Sequence, residues 1–164
     1  MPEYHMRRAD KAMNDTSEML ALIRSQRLLT LAMCADGEPY LVTVDYGFDE
    51  AARNFYFHCA REGKKLELLR ANPVVWGQVV EDLGYIDGEC DHAYRSVHFR
   101  GRAELLTDEG AKRAALRLMM RQLESSVSEK RWAEFEGKPL DEVVVVAVHV
   151  GTMTGKKSVR AKKG

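Results

Sequence analysis

Short apolar runs separated by turn residues recur along the chain, and this pattern indicates an antiparallel sheet. The clearest run lies at residues 97–105, where Val, Phe, Gly, Ala and Leu alternate with His, Arg and Glu. A period of two is typical of a strand with one buried and one wet face. An Asp36-Gly37 pair predicts a tight hairpin near the start of the chain. By this reasoning we predict six strands, over residues 28–33, 40–46, 54–58, 74–80, 97–105 and 142–150.

Apolar residues at helical spacing predict three helices around these strands. Asp15 and Glu18 form a capping box for the first of them. Residues 82–93 hold two glycines and three aspartates with little periodicity, so we predict an irregular loop there. A flexible basic tail is predicted from about residue 155. The helices are predicted over residues 16–25, 64–70, and from a cap at Thr107 or Asp108 to about Gln122.

Many strands with hairpin signals and few helices predict an α+β fold, a six-stranded antiparallel β-barrel with flanking helices. A length of 164 residues suits one domain over 1–164. A barrel of six strands is too narrow to hold a ligand inside. A binding site is therefore expected on the outer surface or between subunits.

Charge and composition narrow the classes of partner. The 25 basic and 25 acidic residues give zero formal charge, so no overall field attracts nucleic acid or an anionic membrane. The apolar run at 143–148 is far shorter than the ~20 residues that span a bilayer, and the N-terminus lacks a signal-peptide pattern. Three cysteines without a Cys-x-x-Cys pair indicate reduced thiols. We expect a cytoplasmic protein that binds a small molecule or a protein.

The most informative stretch is residues 56–66, where a strand ends, Gly63 turns the chain, and Lys64 and Lys65 open a helix. Lysines in a first helical turn oppose the helix dipole, whereas a bound anion would reverse that penalty. Free backbone N–H groups and two ammonium groups predict a phosphate site. A solvated charged turn, with Glu62 compensating the lysines, explains the same spacing equally well.

A family resemblance favours the phosphate site. The chain carries, in order, a Gly-Glu-Pro-Tyr hairpin at 37–40, the aromatic strand 56–58, the turn 63–65, a leucine-rich helix into Asn72-Pro73-Val74, the strand 94–103, and a closing strand into 154–156. Together these motifs resemble the pyridoxamine 5′-phosphate oxidase-like flavin-binding split barrels. The sequence is most similar to their nitroimidazole-resistance (Nim) branch, from Arg7 to Lys156.

The resemblance implies a homodimer with two flavin mononucleotide (FMN) sites at the subunit interface and a small-molecule substrate. It implies an FMN-dependent oxidoreductase similar to nitroimidazole reductases, in which the flavin carries the electrons. The positions that match the family's cofactor-binding residues are Val42, Thr43, Val44, Phe57, His58, Cys59, Gly63, Lys64, Lys65, Arg95 and Ser96.

His58 is the catalytic candidate. An inward strand position would place its imidazole near the cofactor, where Nim-like proteins keep a histidine, and imidazole can donate a proton near neutral pH. A hydrogen-bonded structural histidine is the alternative. Two departures argue against oxidation of pyridoxamine phosphate: Val42 and Gly47 stand where those oxidases carry basic residues, and their arginine- and tryptophan-bearing C-terminal segment is missing.

Other chemistry is less well supported. A non-catalytic module on the same barrel, binding flavin, heme or a phosphorylated ligand, stays open, with His149 or His58 as heme ligand. Cys90 and His92 match no standard ligand spacing, so no metal is predicted. The glycine- and lysine-rich stretch 151–157 departs from a nucleotide-triphosphate loop. The lysines of the C-terminal tail are interpreted as solvated, so no nucleic acid is expected.

Overall fold

The computed structural model describes residues 6–159, in which eight strands and four α-helices follow one another. A short 3₁₀ turn at Ala9–Lys11 precedes them. The strands are β1 (Ala12–Met13), β2 (Leu28–Ala35), β3 (Glu38–Asp45), β4 (Gly47–Asp49), β5 (Asn54–Cys59), β6 (Val74–Ile86), β7 (Asp91–Leu105) and β8 (Val144–Ser158). The α-helices are α1 (Thr16–Ser25), α2 (Lys64–Ala71), α3 (Glu109–Leu123) and α4 (Glu129–Glu136).

All strand pairs are antiparallel and form one sheet in the order β3-β2-β6-β7-β8-β5-β4, with β1 added beside β8. β3 and β4 lie at opposite ends of this order, yet only Tyr46 separates them in the chain. The sheet must therefore curl until its two ends meet. Among the described residues no ladder joins β3 to β4 or β5, so the curled sheet has an open seam. This arrangement confirms the α+β class and the antiparallel split barrel.

Apolar side chains fill the interior of the curled sheet. Phe55 and Phe99 stack at 4.3 Å between ring centroids, and both are fully buried. Tyr46 is also fully buried, and its hydroxyl donates a hydrogen bond to the backbone oxygen of Ile23 at 2.5 Å. Burial raises the pKa of this phenol well above its usual range. The packed interior leaves the outer surface and the seam as the places for a ligand.

A second, smaller apolar cluster lies outside the barrel, where α3 and α4 cover β8. Successive residues of β8 serve the two clusters: Val145 packs under the helices, whereas Val146 packs in the barrel. This explains why β8 reads as apolar on both faces.

The predicted helices are confirmed to within a residue or two, and α1 has the predicted bounds. The side chain of Asp15 caps α1 by accepting from the backbone N–H of Ser17. Glu18 does not complete the capping box, because its carboxylate pairs with Lys157 at 2.6 Å. The Asp36-Gly37 hairpin is also confirmed, with positive φ at both residues.

The counts of six strands and three helices are wrong, because the described residues hold eight and four. β1 and β4 have two and three residues, too few to show a period of two. α4 buries only Phe135, so it lacks the apolar stripe by which a helix is recognised.

The irregular loop predicted at 82–93 is also wrong. β6 and β7 continue through this segment as a long hairpin, with a register shift between Asp82 and Tyr85. Gly84 and Gly88 adopt positive φ there, so the bulge and the turn break the alternation that marks a strand.

The tail predicted from about residue 155 begins too early, because β8 continues to Ser158. Residues 160–164 lie outside the described part of the chain. Within residues 6–159 every helix is too short or too polar to span a bilayer.

Candidate functional site

The turn before α2 has an open backbone. Gly63 caps the helix at φ +132°, and beyond the adjacent residues no atom of the described chain lies within 4 Å of the position that a Cβ would occupy. Gly63 offers no side chain to cap the first amides of α2, and the first N–H groups of any helix lack partners within it. The turn therefore presents backbone donors to an incoming group.

Lys64 and Lys65 stand over two aromatic rings on either side of the seam. The Nζ of Lys64 lies 5.1 Å from the ring centroid of Tyr40 in β3, and that of Lys65 lies 5.3 Å from Phe57 in β5. Within residues 6–159 neither ammonium pairs with a carboxylate, so Glu62 does not compensate them. Two uncompensated cations at a helix N-terminus favour a bound anion.

The seam itself has two unpaired strand edges. Within the described part of the chain, β3 pairs only with β2, and the end of β5 beyond Tyr56 pairs only with β8. β4 sets Gly47 opposite Tyr56, and only Tyr46 separates β4 from β3, so β3 leaves the edge of β5 at this point. We call this opening the β3–β5 gap, and its walls are residues 42–44 of β3 and 57–59 of β5.

Side chains alternate in direction along β3. Val42 and Val44 pack towards the barrel core, whereas Thr43 is exposed on the outer face. Val42 and Val44 can therefore reach a ligand in the gap only through backbone groups.

Cys59 is half-buried near the same lysines. Burial raises the pKa of its thiol, and the charges of Lys65 and Arg70 act in the opposite direction without cancelling the rise. The thiol is therefore protonated near neutral pH and is a poor nucleophile.

His58 lies on the other face of β5. Phe57 is fully buried in the barrel, whereas the side chain of His58 is exposed and faces α3 and α4. The predicted inward position of His58 is therefore wrong, because adjacent residues of a strand point to opposite faces. Within this chain the imidazole is on the opposite side of β5 from Lys65.

Arg95 and Ser96 lie on β7, away from the gap. The guanidinium of Arg95 donates to Glu81 at 2.5 Å, and Ser96 is 2% exposed with its hydroxyl directed at the backbone oxygen of Lys156. β6 and β2 separate β7 from β3, and β8 separates it from β5. The structure of one chain therefore brings together the positions at 42–44, 57, 59 and 63–65, but not the pair on β7.

The outer face of β3, β2 and β6 is unusually apolar for an exposed surface. Large side chains there keep 41–66% of their surface exposed. A groove of about 530 Å³ crosses this face and is lined in part by Thr43. This face cannot be predicted from the sequence, because it depends on which strands are neighbours in the sheet. Its exposed members, the outer sheet face, are Leu28, Leu41, Trp76 and Val80.

His98 lies beside this face and hydrogen-bonds to the side-chain amide of Gln78 at 3.2 Å. Burial lowers the pKa of its imidazole, and the nearby Lys156 lowers it further. The ring is therefore neutral near pH 7.

The metal and heme candidates are scattered. Among residues 6–159 no three His, Cys, Asp or Glu side chains are grouped as ligands. His92 pairs with Asp82 at 2.6 Å, and Cys90 is exposed in the β6–β7 turn. Both ring nitrogens of His149 hydrogen-bond in this structure, one to Glu104 and the other to Asn54.

Comparison with known proteins identifies the family. The family model described as pyridoxamine 5′-phosphate oxidase matches residues 15–157. The chain belongs to the pyridoxamine 5′-phosphate oxidase family. The resemblance stated from the sequence motifs is thereby confirmed. A comparison with curated protein sequences finds no significant match.

Solved structures of the same fold carry several different descriptions. A crystal structure from Bacteroides thetaiotaomicron, provisionally assigned to 5-nitroimidazole antibiotic resistance, is 24% identical, covers 94% of this chain and 96% of its own, and has a TM-score of 0.71. A FAD-binding protein from Mesorhizobium loti is 28% identical over 88% of this chain and 95% of its own, with a TM-score of 0.61. A FAD and heme binding protein from Mycobacterium smegmatis is 21% identical over 90% of this chain and 73% of its own, with a TM-score of 0.67.

Proposed function

We propose that this member of the pyridoxamine 5′-phosphate oxidase family is an FMN-dependent oxidoreductase that passes electrons from its flavin to a small aromatic or nitro compound. The observation that carries the proposal is the β3–β5 gap, where two unpaired strand edges meet two uncompensated lysines at the start of a helix. Such a site suits a ligand with a flat polar ring system and an anionic tail.

Each part of the gap has a role in holding the cofactor. Gly63, Lys64 and Lys65 would hold the phosphate, and the backbone of residues 42–44 would lie along the ring system. Tyr40 and Phe57 fix the two ammonium groups by cation–π contact. Bound flavin supplies the electron transfer, and the chain supplies orientation and charge. The protonated thiol of Cys59 leaves no competing nucleophile beside it.

The turn offers one anion site, and this suits the single phosphate of FMN. Two of the similar structures are of proteins named for FAD, whose second phosphate would have to lie outside the turn. Three free cysteines support a cytoplasmic location, where thiols stay reduced.

A purified preparation tests the proposal directly. We expect a yellow protein that releases FMN on denaturation, identified by mass, and whose bound flavin is reduced by NADH or NADPH and reoxidised by a nitroaromatic compound. Release of FAD would correct the cofactor. A protein that takes up no flavin from an added excess would contradict the proposal.

A non-catalytic flavin-binding module is the second candidate. It is favoured by the position of His58, because without this residue Cys59 is the only titratable side chain in the walls of the gap, and its thiol is a poor proton donor. If the protein binds one flavin per chain, but no small-molecule oxidant reoxidises that flavin once it is reduced, the result would support the non-catalytic module over the enzyme.

We further propose a homodimer with the flavin at the subunit interface. Two observations support it: the outer sheet face is apolar and exposed, and the family-matched positions divide into two groups that one chain does not bring together. In the proposed dimer, Arg95 and Ser96 of one protomer would approach the gap of its partner. Ser96 would then have to exchange its present bond to Lys156.

Substitution of Leu41 by glutamate tests this interface. Leu41 is 66% exposed, so the change leaves the isolated barrel intact but places an unpaired charge in the proposed interface. We expect light scattering to show a dimer for the parent protein and a monomer for Leu41→Glu, with flavin retention reduced at least about tenfold. Lys130→Glu, which places a glutamate at an 87% exposed position on α4, should stay dimeric. A dimeric Leu41→Glu variant would exclude this face.

A further inference from the structure

A second pocket lies on the helical side of β5, away from the barrel core, between α3 and α4. Its volume is about 310 Å³, which is near the lower end of the range for small-molecule sites. Neither the proposed flavin site nor the proposed dimer uses it. We call it the helix pocket, and its principal lining residues are Met119, Met120, Leu123, Phe135, Leu140 and His58.

Bonds outside the pocket hold α4 in place. The guanidinium of Arg113 donates to the backbone oxygens of Phe135, Glu136 and Lys138 at 3.2, 3.1 and 3.1 Å. Arg117 makes two further bonds to the carboxylate of Glu136, at 2.6 and 2.7 Å. The C-terminal end of α4 is therefore held against α3 by side chains that do not line the pocket.

The inner wall of the helix pocket is apolar. Met119, Phe135 and Leu140 are each at least nine-tenths buried, and they belong to the cluster that joins α3 and α4 to β8. Methionine side chains adapt their shape to a ligand at low cost. An apolar ligand body would fill the cleft and gain the contacts that its walls now lack.

The rim of the helix pocket is cationic. Arg131 and Glu124 both line the pocket and pair with each other at 3.4 Å. Lys138 and His58 also lie at the mouth, and among residues 6–159 neither side chain makes a hydrogen bond or an ion pair. One ammonium group is thus left without a counter-charge beside an apolar cleft.

We propose that the helix pocket binds a small monocarboxylate with an apolar body. The body lies against the methionines and Phe135, and the carboxylate lies at the mouth between Lys138 and His58. A carboxylate satisfies both free groups at once, because it accepts from the ammonium and from a ring N–H. An uncharged apolar molecule would leave Lys138 unpaired at the edge of the apolar cleft.

The test uses the full chain with octanoate and benzoate as probes, followed by amide chemical shifts in NMR and by calorimetry. We expect saturable binding, with shifts confined to α3, α4, residues 137–143 and His58. Lys138→Ala should weaken octanoate binding about tenfold. Lys130→Ala, which removes an 87% exposed lysine from α4, should leave it unchanged. Octanol should bind Lys138→Ala at least as tightly as it binds the parent, because it has no carboxylate to pair with the ammonium.

Leu123→Trp supplies a second, steric test, because the indole would occupy the mouth and abolish binding of both acids. Stronger binding of octanoate than benzoate would indicate a chain-shaped ligand, and the reverse order would indicate a ring. Shifts at residues 63–65 instead would overturn the proposal, since the acid would then be a mere anion at the phosphate turn. Equal losses for Lys138→Ala and Lys130→Ala, or no saturable binding, would also overturn it. Binding of the acids to the helix pocket does not require bound flavin, so these tests can succeed or fail independently of the proposed function.

Discussion

Replacing Lys64 and Lys65 together by alanine should weaken FMN binding about 100-fold while changing riboflavin binding by less than about twofold. Riboflavin has the same ring system but no phosphate. If the two ammonium groups hold the phosphate, their removal affects only the phosphorylated ligand. Both lysines are at least partly exposed, and solvent screens their charges. The expected loss of FMN affinity is therefore smaller than the loss of two buried charge-assisted hydrogen bonds would cause.

The affinities are measured by fluorescence titration of protein freed of flavin. Lys130→Ala is the matched control, because it removes one positive charge from a remote helix. High salt should weaken FMN binding to the parent protein more than to the double variant. Equal losses of FMN and riboflavin would show that the substitutions damage the gap itself, and unchanged FMN affinity would remove the lysines from the site.

Substitution of Gly77 by alanine should destabilise the fold by about 3 kcal/mol. A Cβ on Gly77 would lie 2.1 Å from the ring of Phe99, and this ring is buried and stacked on Phe55. The ring has no free space into which to move. Urea unfolding followed by circular dichroism gives the free energy of unfolding.

A double-mutant cycle separates this clash from a general effect of losing glycine. With Phe99→Leu in the background, the same Gly77→Ala change should cost less than about 1 kcal/mol, because the ring atoms are gone. Gly151→Ala is the control, since its Cβ would meet only a backbone oxygen at 3.5 Å. An equal cost of Gly77→Ala in both backgrounds would show that the ring is not the cause.

The sequence predicts the elements better than it predicts their arrangement. β7 and α1 follow from local periodicity, because each has one continuous apolar face. β4 and α4 are missed since three residues, or one buried phenylalanine, carry no period. The β6–β7 hairpin is missed because its bulge shifts the alternation of side chains.

In the candidate site, too, local features can be predicted from the sequence, whereas the arrangement of the strands cannot. Gly63, Lys64 and Lys65 are contiguous, so their convergence can be predicted from the chain alone. The opposite wall of the gap comes from β3, and only the ladder order reveals that β3 ends beside β5. The sequence pattern predicts the wrong face for His58. Which face of β5 a side chain occupies is decided by the burial of its neighbours and not by its own residue type.

The single residue between β3 and β4 has a consequence for solubility. An unpaired strand edge normally acts as a template for a strand of another molecule, and this is one origin of fibrils. Here Tyr46 turns the two free edges towards each other, and Lys64 and Lys65 stand at the opening. A foreign strand would have to enter a narrow slot past two positive charges. The opening proposed to admit a small ligand would therefore also resist the growth of an aggregate.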